Sequence, residues 1–245
     1  MTTSTLVIVD ETVSTQDDAK ALWARGAPNG TAVCARRQTG ARGRRGRAFV
    51  AGHDGVWLSV VIRPDRPIPA LFAPRLSLCV GVFVMDALVT VGADAWLKWP
   101  NDLVVPANTQ APRLGPYRKV GGVLVEAIDL DGGGLRAAVV GVGINLTMPS
   151  DPELAAVASV LVGHTDAVAL AEVIRTAVVA AATTTDVGFD TVVERAAARS
   201  ATLGRVVAVD DVHGTAVALD TDGALVVESE GRRVTVSAGD VGVLG

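Results

Sequence analysis

The segment from Arg36 to Arg47 constrains most strongly what this chain can fold into. It holds six arginines and three glycines in twelve residues. Glycine costs about 1 kcal/mol in a helix interior, and neighbouring guanidinium groups repel one another, so the segment cannot form a helix or the core of a sheet. It therefore predicts a loop. Glycine allows backbone amides to approach a ligand closely, and guanidinium forks bind phosphate or carboxylate oxygens in pairs, so the composition suits an anion site.

A solvated basic loop or an RNA-binding arm is the simpler interpretation of such a run taken alone. The charge of the whole chain argues against the second, because the 245 residues carry a formal net charge of −4. Nucleic-acid-binding domains usually have a basic surface. The positive charge here is local, so we expect a small anionic partner and no DNA. Lysine is scarce and occurs only as Lys20, Lys98 and Lys119.

Cysteine usage and hydropathy indicate a soluble, cytoplasmic protein. Cys34 and Cys79 lie in apolar stretches without metal-ligand spacing, as reduced core cysteines do. The N-terminus lacks the pattern of a signal peptide. The most apolar stretch, residues 76–92, is interrupted by Asp86 and is shorter than the roughly 20 residues of a membrane span. We expect no membrane partner.

Hydrophobic periodicity predicts strands and helices in one chain, an α+β composition, with the helix at 74–90 packed across a sheet. Residues 106–118 are rich in proline and predict a loop. After residue 204 the pattern changes to short strands separated by turns, which predicts a small barrel of about 40 residues. We therefore expect two domains, residues 1–200 and 201–245. Strands are predicted at residues 5–9, 31–35, 55–62, 96–105, 119–128 and 136–143, and helices at 19–25, 74–90 and within 151–199.

Two short polar stretches have both a structural and a functional interpretation. Ser14 and Thr15, followed by acidic residues, are typical of a helix start, and capping is the simpler role for them. Asn101 and Asp102 follow Pro100, which interrupts the strand at 96–105 and leaves their side chains at a bend. A plain turn is the simpler role there.

These stretches resemble, in order and over nearly the whole chain, the biotin protein ligases. Four motifs carry the resemblance: Ser14-Thr15, Gln38 through Phe49, Lys98-Trp-Pro-Asn-Asp102, and Lys119-Val-Gly-Gly with the later Gly-Val-Gly-Ile-Asn145. The resemblance implies a class II synthetase-like catalytic domain, a mixed sheet with flanking helices, followed by an SH3-like barrel. It also implies the monofunctional form without an N-terminal DNA-binding domain, because the first catalytic strand begins close to Met1.

The activity implied by the resemblance is a two-step acyl transfer that uses biotin and ATP, with Mg²⁺ as activator. Biotin and ATP would form biotinyl-5′-AMP and pyrophosphate, and a lysine of a biotin carboxyl carrier domain would then take the biotinyl group. The first step brings two anions together, so cations must offset their repulsion. The partners are thus biotin, ATP and the carrier domain, and a homodimer is left open.

The resemblance assigns a role to individual residues. Lys119, Arg42 and Arg44 are the expected catalytic residues, and Asp102 the expected Mg²⁺ ligand. Biotin would contact Ser14, Thr15, Gln38, Arg42, Arg44, Gly121 and Trp57. ATP would contact Arg44, Arg47, Asn101, Asp102, Lys119 and Asn145.

Two residues depart from the family pattern, and three other functions remain as alternatives. Ala41 replaces a usual glycine before the first loop arginine, and Phe49 replaces a usual tryptophan. Alanine at a position that needs φ > 0 would strain the loop. The alternatives are attachment of lipoate or octanoate, a degenerate homologue that binds biotin with little turnover, and a non-enzymatic nucleic-acid-binding module.

Overall fold

The structure is a computed structural model that describes residues 4–43, 46, 54–161, 163 and 166–244. Seven strands form one mixed sheet in the order β1-β2-β3-β7-β6-β5-β4. β1 and β2 are parallel and all other neighbours are antiparallel. The strands are β1 (Leu6–Thr12), β2 (Ala32–Gln38), β3 (Gly55–Ile62), β4 (Trp96–Lys98), β5 (Asp102–Ala111), β6 (Gly115–Asp131) and β7 (Gly134–Asn145).

Helices cover both faces of this sheet, which confirms the predicted α+β architecture. The five described helices are α1 (Thr15–Ala24), α2 (Arg75–Thr90), α3 (Pro152–Ala155), α4 (Ala167–Ala181) and α5 (Phe189–Ala198). α1 packs on β3 and β7, where Ala19 contacts Val61 and Val139 in a small apolar cluster. On the opposite face α2 and α4 cover Leu58 and Val140 in the main core. No described helix is long and apolar enough to cross a membrane.

The proline-rich stretch at 106–118 is a hairpin, so the predicted loop is wrong. β5 runs on to Ala111 and β6 begins at Gly115. Pro106 is tolerated because β4 pairs with β5 only as far as Val104, so the missing N–H of Pro106 faces no partner strand. The strand predicted at 96–105 is interrupted at Pro100, as expected, and its two parts are the antiparallel strands β4 and β5, with a cis peptide bond between Trp99 and Pro100 in the turn that joins them.

Five short strands form the C-terminal sheet, as the SH3-like prediction requires. They are β8 (Val206–Val209), β9 (Val212–Leu219), β10 (Leu225–Ser229), β11 (Arg232–Val236) and β12 (Val241–Val243), in the order β11-β10-β9-β8-β12. Within the described chain β11 and β12 do not pair, so the predicted barrel is an open sheet. The free edge of β12 contacts the β5–β6 hairpin instead of β11. Val243 N donates to Arg113 O at 3.1 Å there.

The C-terminal sheet packs against the seven-stranded sheet beside Trp99. The indole Nε1 of Trp99 donates to Gly223 O at 2.9 Å, and its backbone N–H donates to Thr202 Oγ1 at 3.0 Å. Val207 and Leu225 belong to the same apolar core as α2. The segment from Lys98 to Asp102 is thereby fixed between the two sheets. A domain boundary at residue 200 stays a proposal.

Candidate active site

A cavity of about 220 Å³ lies over the α1 face of the large sheet. Its floor consists of small residues on three adjacent strands: Ser59 on β3, Gly141 and Gly143 on β7, and Gly122 on β6. Ser59 pairs with Gly141 and Gly122 pairs with Gly143, so all four lie on the same face. α1 packs on the part of the sheet around Val61. Beside α1 the floor glycines have no side chains, which leaves space for the cavity.

Uncharged polar groups form the end of the cavity nearest β3. The backbone N–H of Thr15 donates to Gln38 Oε1 at 2.8 Å, and its hydroxyl donates to the same oxygen at 3.1 Å. Thr15 Oγ1 is also 2.8 Å from Ser59 Oγ. Because Gln38 Oε1 accepts both bonds, the amide orientation is fixed by the network and its Nε2 group is the one turned to other partners.

Ser14 occupies the N-cap position of α1, yet its side chain makes no capping hydrogen bond. Its hydroxyl is buried and has no hydrogen-bond partner among the residues that the structure describes. Buried hydroxyl groups are usually paired. The helix start at Ser14-Thr15 is confirmed, but capping does not account for these side chains, which line the cavity instead.

A cluster of three charges forms the opposite end. Lys119 Nζ lies 2.6 Å from Asp102 Oδ1, and Lys98 Nζ lies 3.4 Å from Asp102 Oδ2. Ser59 lies on β3 and Asp102 on β5, which are three positions apart in the sheet. At about 4.8 Å per strand, the two ends of the cavity are about 14 Å apart.

Two ammonium groups and one carboxylate give Lys98, Asp102 and Lys119 a net charge of +1. Asp240 also lines the cavity and acts on Lys98, but its carboxylate is paired with Arg113 at 3.5 Å. With that pair counted as neutral, this end of the cavity keeps a charge of +1 and attracts anions.

Burial and the neighbouring charges shift the pKa values of Asp102 and Lys98. Desolvation acts to raise the pKa of Asp102, but the charges and hydrogen bonds of Lys119 and Lys98 outweigh it and lower the pKa below its ordinary value. Desolvation lowers the pKa of Lys98, and the attraction of Asp102 offsets this only in part. Asp102 is therefore ionised at neutral pH and holds both lysines together.

Asn101 and Asn145 bond backbone groups around this charged end. Asn101 lines the cavity, and its Nδ2 donates to Val123 O at 2.8 Å. Asn145 is buried and stands outside the lining. Its Nδ2 donates to Ser159 O at 3.2 Å and to Lys119 O at 3.5 Å, so it positions the backbone that carries Lys119.

The arginine segment is described only in part. Arg42 lines the cavity and forms an ion pair with Asp17 in the first turn of α1. Ala41 also lines the cavity, and its φ is not positive. The strain expected from alanine at this position is therefore absent in this structure. Arg44, Arg47 and Phe49 lie outside the described residues.

Trp57 and Gly121, also expected to contact biotin, do not line the cavity. Trp57 belongs to β3, where it pairs with Gly143, and it is fully buried. A Cβ atom at Gly121 would come within 2.3 Å of Gly143 O, so this glycine allows β6 to approach β7 closely. Their roles in binding remain predictions. The structure places these expected residues around one cavity: Ser14, Thr15, Gln38, Arg42, Asn101, Asp102 and Lys119.

The described residues do not form a resident Mg²⁺ site. Both oxygens of Asp102 contact ammonium groups, and no cluster of three metal-ligating side chains occurs in the described part of the chain. Mg²⁺ commonly binds proteins through one or two carboxylates plus substrate phosphates. The arrangement fits an ion that arrives with a nucleotide better than a metal held by the protein, and no step below depends on it.

Several cavity residues were not predicted from the sequence. Gln16 directly follows the Ser14-Thr15 motif and Lys98 begins the Lys98–Asp102 motif, but Ser14-Thr15 and Asp102 gave the stronger signals there. The floor glycines lie in quoted motifs that were given no role at these positions, and the C-terminal segment is adjacent to the cavity only through long-range contacts. The lining residues for which no role was predicted are Gln16, Gly43, Leu58, Ser59, Lys98, Pro100, Gly122, Val123, Leu124, Gly141, Val142, Gly143, Gly239, Asp240 and Val241.

Comparison with known proteins is consistent with this geometry. Residues 9–145 match the model of the "Biotin/lipoate A/B protein ligase family", and residues 202–243 match "Biotin protein ligase C terminal domain". A biotin--[acetyl-CoA-carboxylase] ligase of Mycobacterium tuberculosis is 32% identical, over 96% of this chain and 88% of the relative. The bifunctional ligase/repressor BirA of Bacillus spizizenii is also 32% identical, but the chain spans less than half of it: the match covers 60% of this chain and 42% of that protein.

A solved structure shares the whole fold. The biotin protein ligase from Aquifex aeolicus, in complex with biotin and ATP, has a TM-score of 0.78 and 24% identity, and 98% of each chain is covered. At this identity the likeness shows the arrangement of both sheets and their helices, and the chemistry of the cavity must be argued from its own residues.

Proposed function

The chain belongs to the biotin/lipoate A/B protein ligase family, and from that premise we propose that it attaches biotin to a lysine of a carrier protein at the expense of ATP. One observation carries the proposal. The cavity has uncharged hydrogen-bonding groups at one end and two ammonium groups at the other. Biotin has the matching polarity, with a ureido ring at one end, a carboxylate at the other and apolar atoms between them.

In the first proposed step a carboxylate oxygen of biotin attacks the α-phosphorus of ATP. A new P–O bond forms, the bond to the bridging oxygen breaks, and pyrophosphate leaves with that electron pair. Two anions must approach one another, which costs energy in any poorly solvated site. Lys119 and Lys98 provide positive charge, and Asp102 fixes both ammonium groups so that they need no rearrangement as negative charge develops.

In the second proposed step the amine of a carrier lysine attacks the acyl carbon of biotinyl-5′-AMP. The C–N bond forms, the C–O bond to AMP breaks, and the amine loses a proton. The mixed anhydride is sensitive to water, so it must stay enclosed until the carrier arrives. Ala41, Arg42 and Gly43 lie at the wall of the cavity, and we propose that this part of the arginine segment covers the intermediate.

The partner proposed for this step is the biotin carboxyl carrier domain of a carboxylase. ATP is the second substrate, and we place the reaction in the cytoplasm.

Attachment of lipoate or octanoate is the second candidate, since the family includes both activities. The ring end of lipoate and the tail of octanoate carry no hydrogen-bonding group. Either would leave the buried hydroxyl of Ser14 without a partner, at a cost of about 1–3 kcal/mol. The uncharged polar end of the cavity therefore favours biotin.

Formation of the adenylate tests the proposal without a carrier. The purified protein is incubated with ATP, Mg²⁺ and either biotin, lipoate or octanoate, and pyrophosphate release and acyl-AMP mass are measured. We expect pyrophosphate and biotinyl-5′-AMP with biotin, and much less product with the other two acids. Preference for lipoate or octanoate would replace the proposal by the second candidate. Biotin binding without pyrophosphate would show a homologue with little turnover.

A further inference from the structure

Gln16 is a buried polar residue of the cavity to which neither proposed reaction step gives a role. It follows Ser14-Thr15 in the first turn of α1, lines the cavity and is only 5% exposed. Its Nε2 donates to Glu126 Oε2 at 2.8 Å. The other oxygen of Glu126 contacts Lys20 Nζ at 2.9 Å, so the carboxylate is held from both sides. Because a carboxylate can only accept here, the amide of Gln16 has one allowed orientation.

That orientation leaves the acceptor of Gln16 without a partner. Oε1 is buried and forms no hydrogen bond with any described residue. The amide lies directly over Gly141, where an added Cβ would come within 3.2 Å of both Oε1 and Cδ. The glycine on β7 thus makes room for the amide, and the ion pair between Glu126 and Lys20 holds it there. An acceptor that is buried and held in place at a ligand cavity suits a ligand that carries an N–H donor, because the donor would satisfy it.

We propose that Gln16 Oε1 accepts a hydrogen bond from one ring N–H of the ureido group of biotin and so discriminates biotin from acyl substrates without such a donor. The inference rests on the proposed function and adds a specificity residue to it. An anion is excluded as the partner, because a carbonyl oxygen repels it. The carboxylate and phosphates belong at the Lys98–Lys119 end, on the far side of the floor.

The hydrogen-bonding groups around Gln16 complement a urea. Thr15 and Ser59 are largely engaged with each other and with Gln38 Oε1. Ser14 Oγ and the Nε2 of Gln38 can donate to the ureido oxygen, and the amide nitrogen cannot accept from an N–H. Hydroxyl oxygens can accept as well as donate, but Gln16 Oε1 is a carbonyl acceptor that is buried, held in place and without a partner among the described residues.

The test is a double-mutant cycle between the protein and its ligand. Gln16→Met keeps the length of the side chain and removes the amide. Dissociation constants of biotin and of biotin methylated on each ring nitrogen in turn are measured by calorimetry with both proteins. Loss of the acceptor leaves a buried donor unpaired, so we expect biotin to bind Gln16→Met roughly 5- to 100-fold more weakly. Methylation of one of the two nitrogens should then weaken binding to the native protein far more than to the variant.

Equal losses on methylation in both proteins, for both nitrogens, would overturn the inference, since Gln16 would then only shape the cavity. Unchanged biotin affinity in Gln16→Met would overturn it as well. Thermal unfolding of the ligand-free proteins shows whether the variant folds, and Gln16→Leu replaces it if it does not. Failure of the native protein to form biotinyl-5′-AMP would refute the proposed function, whereas an active native protein without coupling refutes only the role of Gln16.

Discussion

Replacement of Lys119 by alanine should nearly abolish adenylate formation while the protein stays folded. Lys119 Nζ lies 2.6 Å from Asp102 Oδ1, and its side chain is 33% exposed at the cavity. The substitution lowers the net charge of the Lys98–Asp102–Lys119 cluster from +1 to zero. The backbone of Lys119 keeps its hydrogen bonds to Val157 and Ser159, so the strand should not be disturbed.

The magnitude follows from one lost charge interaction. Two unit charges about 4 Å apart interact by about 4 kcal/mol at an effective dielectric constant of 20. Because Lys119 is partly exposed, solvent screening reduces this to about 2–3 kcal/mol. At 1.36 kcal/mol per factor of ten, the rate should fall roughly 10²-fold.

Pyrophosphate release from biotin and ATP measures the effect, and Lys119→Arg tests whether charge alone suffices. Arg136→Ala is the matched control, because Arg136 is also a strand cation paired with carboxylates but lies outside the cavity lining. A near-normal rate in Lys119→Ala, or an equal loss in Arg136→Ala, would remove Lys119 from the mechanism.

Three further predictions concern neighbouring parts of the site. Trypsin should cleave the free protein between Arg42 and Arg47 and should cleave it much less when biotin and ATP are both present; equal cleavage would mean that the segment does not cover the ligands. Asp102→Asn should lower the free energy of unfolding at pH 7 by about 3 kcal/mol, because two ammonium groups lose their counterion. Burial already lowers the pKa of Lys98, so this deficit should shrink as the pH rises and Lys98 loses its proton; a deficit independent of pH would contradict the explanation. Ala41→Gly should leave the dissociation rate of biotinyl-5′-AMP unchanged, since φ of Ala41 is not positive; slower dissociation would show that the ligand-bound loop needs the glycine.

Local sequence patterns predicted most helices and strands, because in those segments the spacing of apolar residues matches the structure that forms. β3 was predicted with its observed bounds, since residues 55–62 are apolar except for Ser59 and lie buried in the centre of the sheet. The hairpin at 106–118 was missed because proline normally excludes a central strand. Pro106 lies where β5 has a partner on one side only, and this depends on where the distant β4 ends.

The candidate site shows the same division between local and long-range information. The quoted motifs supplied the hydroxyl pair, Asp102 and Lys119, which the fold brings to one cavity. The environment of Gln16 could not be predicted, because its partner Glu126 is 110 residues away in the sequence. Capping by Ser14 was the favoured local role, and only the fold shows that its hydroxyl is buried at the cavity, with no partner in the described part of the chain.

Transfer of biotin to a carrier protein is the decisive measurement for the proposed ligase activity. The purified protein is incubated with biotin, ATP, Mg²⁺ and a biotin carboxyl carrier fragment, and the intact mass of the fragment is measured. We expect the gain of one biotinyl group on one lysine, dependent on ATP, and no gain when that lysine is replaced by arginine. An unmodified carrier, despite biotin binding, would contradict the assignment as a ligase; modification by lipoate instead of biotin would contradict the assignment of the substrate.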